Sequence, residues 1–331
     1  MVEHVLVLVP RPPSDGLGSA GGEALGAGRQ LASELGVPLA CAVIGHGVEA
    51  AAAEAAELGS DRVLVADAQH LAGTAGDAVV LAAVEAVRVA EARITLISHG
   101  PDAPELAPRL AVRLDGGSVM GVTELRPGAD GELEVAAAVF GGAARAVYRF
   151  GADGPCIVGV APAIAEVPPR EAGRTAEVTS LAVEPPAEER VRLLQPAAAA
   201  EGPRLEDARV IVTGGRGLQS GESYQLIRDL AAALGGMPGA SRAIVDNGWA
   251  PPTEQIGLTG KLVTPELYLA FGISGASQHM VGCANARVIV AVNNDPDAPI
   301  FKYAHFGIVD DCLEVLSELI RLRSEATSAD G

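Results

Sequence analysis

The first part of the chain alternates short apolar runs with segments whose apolar residues recur at helical spacing. The apolar runs are bounded by turn residues and predict strands at 5–9, 39–44, 62–66 and 94–97. The helical spacing occupies the intervals between and after them, at 22–35, 48–58, 76–91 and 104–114. This alternation with short connections predicts a parallel sheet that is covered by helices on both faces.

The pattern changes beyond the last of these helices. From about 118 to 160 the chain shows short alternating strands, including 133–139 and 144–150, which predict an antiparallel extension of the sheet. Residues 161–207 are rich in Pro, Glu, Arg and Ala and have few periodic apolar positions. We interpret 184–204 as an interdomain linker. It divides the chain into an N-terminal domain, 1–183, and a C-terminal domain, 205–331.

A second alternation of strands and helices follows the linker. Strands are predicted at 208–213, 241–245, 267–272 and 287–292, with a short strand near 307–309, and helices at 221–234, 275–281 and 312–323. The segment 246–265 has little regular pattern, which in a compact domain usually indicates a functional loop. We therefore predict the α/β class, with two domains that are each built on a largely parallel, doubly wound sheet.

Composition and charge argue against several kinds of protein. With 24 Lys and Arg against 42 Asp and Glu, the net charge is −18, so no nucleic-acid partner is expected. No apolar stretch approaches the ~20 residues of a membrane span, and the N-terminus lacks the basic region of a signal peptide. The 4 cysteines are scattered without a CxxC pair, which indicates neither a metal site nor a disulfide framework. We expect a cytoplasmic protein without membrane insertion.

Two glycine turns in the C-terminal domain have the chemistry of an anion site. The first, Thr213-Gly214-Gly215-Arg216-Gly217, follows the apolar run 209–212 and precedes a predicted helix. The second, 272–276, follows a predicted strand and leads to Gln278 and His279. A junction of strand, turn and helix offers free backbone N–H groups and the positive end of a helix dipole, which suit a phosphate group.

These turns belong to a set of segments that resembles a known family. The set comprises 212–217, 220–222, 239–242, 257–261, 265–268, 272–275 and 278–279, with Asn293 and Asp295-Pro296. In their order and spacing, these segments make 205–323 closely similar to the C-terminal domain of the alpha subunit of electron transfer flavoprotein. Over residues 1 to about 195 the resemblance is one of general architecture.

The resemblance implies a FAD-binding, Rossmann-like C-terminal domain within a heterodimer of alpha and beta subunits. Such a chain is an electron carrier rather than an enzyme with a substrate of its own. Its FAD accepts electrons from flavin dehydrogenases, such as the acyl-CoA dehydrogenases of fatty acid beta-oxidation, and passes them to a quinone reductase or another acceptor. The beta subunit commonly holds AMP, or a second FAD in relatives that bifurcate electrons. The N-terminal domain is expected to make much of the contact with the beta subunit.

The resemblance also implies which residues contact FAD. None is expected to be catalytic in the sense of an acid, base or nucleophile. Arg242 against the isoalloxazine ring, Thr259 near flavin N5 and His279 near the N1 and C2 carbonyl region would tune its redox properties, by donating hydrogen bonds or carrying charge. The full set of expected cofactor contacts is Arg216, Ser241, Arg242, Ile256, Gly257, Leu258, Thr259, Ser274, Gly275, Ala276, Ser277, Gln278, His279, Asn293, Asp311 and Cys312.

Several of these positions have a second interpretation or depart from the family pattern. Leu258 stands where relatives usually have Gln, and its side chain cannot form a hydrogen bond. Asn294 stands where relatives usually have Lys, which removes one positive charge near the phosphates. Asp311 precedes a predicted helix, so its carboxylate also suits the helix dipole. Arg242 has the alternative of an ordinary surface ion pair.

Other functions fit the residues less well. The segment 272–276 has the start of a hydrolase elbow but lacks the last Gly of G-x-S-x-G. A Rossmann dehydrogenase would show G-x-G-x-x-G after Val9 or Val212, and neither position has it. An interaction protein on a degenerate flavoprotein fold conflicts with the nearly complete set of flavin residues. A subunit of an electron-bifurcating flavoprotein stays open, because the second cofactor would lie in the partner.

Overall fold

The chain divides into two compact units. The computed structural model describes residues 4–13, 15–72, 76–128, 132–140, 144–150, 154–186, 191 and 204–329. One unit comprises Met1–Ala138 and Arg145–Ala198, and the other comprises Val139–Ala144 and Ala199–Gly331. The domain boundaries at 183 and 205 stay a prediction, and most of the predicted linker, 184–204, lies outside the described residues.

The first unit contains a nine-stranded sheet. The chain order of its strands is β1 Val5–Pro10, β2 Leu39–Gly45, β3 Arg62–Asp67, β4 Ile94–Ile97, β5 Gly117–Pro127, β6 Leu133–Val139, β7 Ala144–Arg149, β8 Cys156–Val160 and β9 Glu177–Ser180. Their order in the sheet is β7-β6-β5-β8-β4-β1-β2-β3-β9. Neighbouring strands in the part β5-β8-β4-β1-β2-β3-β9 of this order pair in parallel, and β6 pairs antiparallel to β5. The predicted parallel sheet with an antiparallel extension is confirmed.

Helices cover both faces of this sheet. They are α1 Gly18–Leu35, α2 Glu49–Glu57, α3 Asp77–Val89 and α4 Ala103–Arg113. Successive strand residues point to opposite faces, so Val5 and Val7 of β1 pack in one core with α1 and α2. Leu6 and Leu8 pack in a second core with α3 and α4. The uninterrupted apolar sequence of β1 thus follows from its burial on both faces.

Strand β9 was not expected from the sequence. It lies in the segment rich in Pro, Glu and Arg and pairs in parallel with β3 at the edge of the sheet. Salt bridges fix the segment before it, including Arg170 to Glu54 and Arg174 to Asp61. Because β9 has four residues and is largely exposed, it lacks the apolar alternation that identifies a strand in a sequence.

The second unit contains a five-stranded sheet that is parallel throughout. Its strands are β10 Val210–Gly214, β11 Met237–Ala240, β12 Leu267–Phe271, β13 Val288–Asn293 and β14 Phe306–Val309. The α-helices are α5 Tyr224–Ala233, α6 Arg242–Asp246, α7 Ser277–Met280 and α8 Cys312–Ala329. Short 3₁₀ turns lie at Leu205–Asp207, Arg216–Leu218, Pro252–Glu254 and Pro299–Lys302 in this unit, and at Gln69–Leu71 in the first unit.

The prediction of a strand at 241–245 was wrong. The strand is β11, which ends at Ala240, and Arg242–Asp246 forms the short helix α6. The run Ala243-Ile244-Val245 suggested a strand because it contains two β-branched residues. In the structure Ile244 is buried against the core of this unit while Ala243 is exposed. Pro238 lies in β11, and Pro is tolerated there because β11 is an edge strand.

The helix predicted at 275–281 is shorter than expected. Gly275 has a φ of +81°, a left-handed conformation that ends the preceding turn instead of starting a helix. A Cβ at this position would also collide with the backbone of Ile300. Helix α7 therefore begins at Ser277.

The strand order opens a crevice at the carboxyl ends of the strands in the second sheet. Strand β10 lies between β11 and β12, so the chain leaves β10 in one direction to form β11 and later returns to its other side as β12. The connections after β10 and β12 therefore diverge where the two strands lie side by side. In open α/β sheets this divergence is where ligands bind, outside the carboxyl ends of the strands.

Replacement of Gly275 by Ala tests the close packing of the turn after β12. Gly275→Ala should lower the free energy of unfolding by more than the ~1–3 kcal/mol of a strained backbone alone, because the methyl group would also overlap Ile300. Gly248→Ala is the matched control, since Gly248 has a φ of +73° and open space around the position of a Cβ. Urea unfolding of both variants measures the difference. Equal losses of stability would contradict the packing of this turn.

Candidate functional site

Segments that follow all five strands of the second sheet line one cavity. Its volume is about 580 Å³, within the usual range of cofactor pockets. Arg216 follows β10, Ser241 and Arg242 follow β11, Ser274 follows β12, Asn294 follows β13 and Asp311 follows β14. The loop 255–259 completes the lining. Of the residues expected from the sequence, all except Gly275 and Ser277 line this cavity.

Two glycine turns meet at the floor of the cavity. The backbone N–H of Gly217 donates to the carbonyl of Gly272 over 3.0 Å, and a Cβ on Gly217 would lie 2.6 Å from the Cα of Gly272. The Cys312 thiol donates to the carbonyl of Gly217 over 3.4 Å, and burial raises the pKa of this thiol to about 11. The absence of side chains on both glycines thus lets the segments after β10, β12 and β14 converge.

The loop 255–261 forms one wall and is fixed by its own backbone. The N–H of Lys261 donates to the carbonyl of Gln255 over 2.7 Å, and the N–H of Gly260 donates to the carbonyl of Gly257 over 2.9 Å. Gly257 has a φ of +136°, and a Cβ there would lie 2.8 Å from the carbonyl oxygen of Gln278. The N–H of Leu258 donates to the same carbonyl over 2.7 Å. The loop is therefore joined to helix α7.

His279 links this loop to the sheet. Its Nδ1 lies 3.1 Å from the carbonyl oxygen of Ile256, and its Nε2 lies 2.9 Å from the hydroxyl of Tyr268. Burial lowers the pKa of His279 to about 4 and raises that of Tyr268 well above its ordinary value. At neutral pH the neutral ring therefore donates from Nδ1 to Ile256 and accepts at Nε2 from the tyrosine O–H.

The role expected for His279 beside the flavin stays a prediction, and the structure shows what its ring contacts within the protein. The sequence suggested that the ring donates a hydrogen bond to the flavin or carries charge beside it. In the structure the residue is 8% exposed, its lowered pKa leaves the ring uncharged at neutral pH, and both ring nitrogens form hydrogen bonds to protein groups. His279 still lines the cavity, so contact between its ring and the cofactor stays a prediction, while its hydrogen bonds hold the wall.

Asn293 and Asp311 also hold parts of the cavity in place. The Asn293 amide donates to the carbonyl of Ile273 over 2.9 Å and accepts from the N–H of Asp295 over 2.9 Å. The Asp311 carboxylate accepts from the N–H of Leu313 over 2.7 Å, which is the geometry of a helix N-cap. The structure thus bears out the second interpretation of Asp311, as a residue that caps α8. Its contact with the cofactor stays a prediction.

The positive charge of the cavity comes from two arginines. Arg216 lies in the turn after β10 and is exposed. Arg242 is the first residue of α6, and its side chain is 67% exposed and pairs with Asp246 at 3.3 Å. Arg242 therefore forms a surface ion pair, as its alternative interpretation expected, and also lines the cavity. Its contact with the isoalloxazine ring stays a prediction. Exposed ion pairs are weak, so this pairing is easily exchanged for an anionic ligand.

Sequence reasoning missed some of the lining residues. Gln219, Ala243 and Gln255 line the cavity but were not expected there. Gln219 has a φ of +66°, and no local pattern predicts a left-handed Gln. Gln255 lies within the irregular segment 246–265, which the sequence predicts to be a functional loop, and its Nε2 lies 3.0 Å from the Thr259 hydroxyl. Only the folded loop shows that these two side chains meet.

Comparisons with known proteins match both halves of the chain to one family. Residues 6–186 match the electron transfer flavoprotein domain, and residues 204–284 match the electron transfer flavoprotein FAD-binding domain. The alpha subunit of electron transfer flavoprotein from Thermoanaerobacterium thermosaccharolyticum is 37% identical over 300 residues, which cover 90% of this chain and 91% of that protein. The chain belongs to the electron transfer flavoprotein alpha-subunit family.

Other relatives agree with this membership. Protein FixB of Azorhizobium caulinodans is 38% identical over 93% of this chain and 86% of its own length. The electron transfer flavoprotein alpha subunit of Mycobacterium leprae is 41% identical over 68% of this chain and 69% of its own length. The sequence motifs supported only a general architectural likeness in the N-terminal half, but that half also matches an electron transfer flavoprotein domain. The comparisons do not favour the electron-bifurcating alternative.

The residues of the cavity fit the cofactor of this flavoprotein family. The match to its FAD-binding domain confirms the expected FAD. The floor at Gly217 and Gly272 presents backbone without side chains, and the guanidinium groups of the two arginines suit the phosphates and the ring of the ligand. Arg216, Ser241, Arg242 and Thr259 present donors that a diphosphate and a flavin ring require.

None of the helices in the described residues is long and apolar enough to cross a membrane.

The neutral, buried His279 should make the stability of this unit depend on pH. Its pKa is about 4 in the folded chain, against an ordinary value of 6.5, so the unfolded chain binds the proton more readily. The stabilisation is complete above about pH 6.5 and falls as the pH approaches 4, by up to about 3 kcal/mol at roughly 1.4 kcal/mol per pH unit.

Urea unfolding of the wild-type chain and of His279→Asn between pH 4 and 7.5 measures this dependence. Asn keeps an amide donor for Ile256 and does not titrate, so the variant should lose stability at neutral pH yet show a shallower decline toward pH 4. Parallel curves for the two chains would show that His279 is not the titrating group.

Proposed function

We propose that this chain pairs with an electron transfer flavoprotein beta subunit and relays electrons through one FAD in the cavity of its second unit. Flavin dehydrogenases, such as the acyl-CoA dehydrogenases of fatty acid beta-oxidation, would be the donors and a quinone reductase the acceptor. AMP or a second FAD would lie in the beta subunit. The observation that carries the proposal is the cavity that is lined from the ends of all five parallel strands of the second sheet, with two arginines and a floor of glycine turns.

FAD, when bound, supplies the capacity to take up and release electrons. The residues of the chain have three tasks around it. Arg216, Ser241 and Ser274 would hold the phosphates and sugar groups. Arg242 would place a positive charge that favours the reduced, negatively charged cofactor. The loop 255–261 and helix α7, which form one wall of the cavity, would exclude water and fix the position of the ring.

Partner contact and location in the cytoplasm are parts of the same proposal. Strand β9 lies at the edge of its sheet, where its outer backbone N–H and C=O groups are available for pairing with another chain, which supports contact of the first unit with a beta subunit. The four cysteines are free and buried, as suits a reducing compartment.

Co-expression of the chain with its beta subunit tests the pairing. One FAD per heterodimer, reduced on anaerobic mixing with a substrate-reduced acyl-CoA dehydrogenase, is the expected result. A heterodimer that holds FAD but stays oxidised would exclude these donors.

Replacement of Arg242 tests the electrostatic part of the proposal. Arg242→Ala should weaken FAD binding by about ten- to a hundredfold, because a charge-assisted hydrogen bond contributes about 1.5–3 kcal/mol. It should also lower the midpoint potential of the bound FAD, since the reduced form loses a favourable charge. Flavin fluorescence titration and redox titration measure both quantities.

Arg209→Ala is the matched control for this prediction. Arg209 forms an exposed ion pair with Glu266 at 2.9 Å, so its replacement removes the same charge away from the cavity. Affinity and potential should stay at the wild-type values. An effect of similar size in both variants would mean that net charge, and not the position of Arg242, governs the cofactor.

A further inference from the structure

The hydroxyl of Thr259 has a partner that fixes its orientation. Gln255 Nε2 lies 3.0 Å from Thr259 Oγ1. The amide NH₂ group is a donor only, so the hydroxyl oxygen accepts this bond. A hydroxyl has one proton and two acceptor sites, and an oxygen that accepts from Gln255 keeps its own proton to donate elsewhere. Thr259 lines the cavity and is exposed to it.

Gln255 itself is held firmly. Its side chain is buried, with 9% of the residue exposed. Its backbone carbonyl accepts from Lys261, and the next residue, Ile256, donates to the carbonyl of Ala240 over 2.9 Å at the end of β11. Lys261 is tied in turn to Glu206 at 2.5 Å. The amide thus projects from a backbone that continues the edge of the sheet.

We infer that Gln255 is a positioning residue, which turns the Thr259 hydroxyl proton toward the cofactor. This inference rests on the proposed function, because it concerns the FAD cavity. Without the amide, the hydroxyl has no fixed orientation. With an ionised carboxylate in its place, the hydroxyl proton would turn away from the cavity to the carboxylate. Gln255 would therefore set the potential of the FAD through the hydroxyl of Thr259.

The test uses the full chain in complex with its beta subunit and the four combinations of two substitutions. Gln255→Met removes the amide and keeps the length of the side chain, and Thr259→Val removes the hydroxyl. The readouts are FAD content, the midpoint potential and the position of the visible flavin absorption band. Gln255→Met should shift the potential and the band in the direction of Thr259→Val. The double variant should match Thr259→Val alone, because Gln255 acts through the hydroxyl.

A second substitution separates orientation from packing. Gln255→Glu keeps the shape of the side chain but accepts from the hydroxyl. In the presence of Thr259 it should shift the potential by more than it does in the Thr259→Val background, where only its charge acts. In the Thr259→Ser background, which keeps the hydroxyl, the Gln255 substitutions should shift the potential as they do in the presence of Thr259. If Gln255→Met loses FAD by misfolding, the Gln255→Glu pair still provides the comparison.

The outcomes distinguish this inference from the proposed function. Absence of FAD from the wild-type complex would contradict the proposed function. A wild-type complex with FAD, in which the Gln255 substitutions shift the potential equally with and without the Thr259 hydroxyl, would overturn the positioning role alone. Unchanged potentials and spectra in the Gln255 variants, with a clear shift in Thr259→Val, would overturn it as well.

Discussion

Two glycine turns that touch backbone to backbone determine where the second unit can hold a ligand. Gly217 and Gly272 lie so close that neither can carry a side chain, and a hydrogen bond between their backbones joins the ends of β10 and β12. These strands lie at the point where the strand order reverses direction, which opens the crevice. A side chain at either glycine would force the two turns apart.

The remaining site residues divide into those that hold the walls and those that present groups to the ligand. His279, Asn293 and Asp311 direct polar groups to protein partners. Arg216 and Arg242 are exposed toward the cavity. This division explains how a chain with a net charge of −18 accommodates an anionic cofactor. Local guanidinium groups and backbone N–H groups act at short range, whereas the charges of the distant surface are screened by salt.

Much of the fold could be predicted from the sequence, because most strands are buried on both faces and show as continuous apolar runs. The site was predictable because its segments lie at strand ends and resemble those of a known family. The errors have physical causes. Ile244 and Val245 have the composition of a strand but are held in a helix by tertiary packing, and β9 is too short and polar to be recognised. His279 forms hydrogen bonds with Tyr268 and Ile256, which lie 11 and 23 residues away in the sequence. These hydrogen bonds therefore follow only from the folded chain.

Hydrogen–deuterium exchange of the heterodimer, with FAD bound and after its removal, tests most directly that the cofactor lies across the ends of the second sheet. Binding should slow amide exchange in the turns after β10, β11, β12, β13 and β14 and in the loop 255–261. Exchange at the strand ends of the first sheet should stay unchanged. Protection by FAD that appears in the first sheet, and not in these turns, would contradict the assignment of the site.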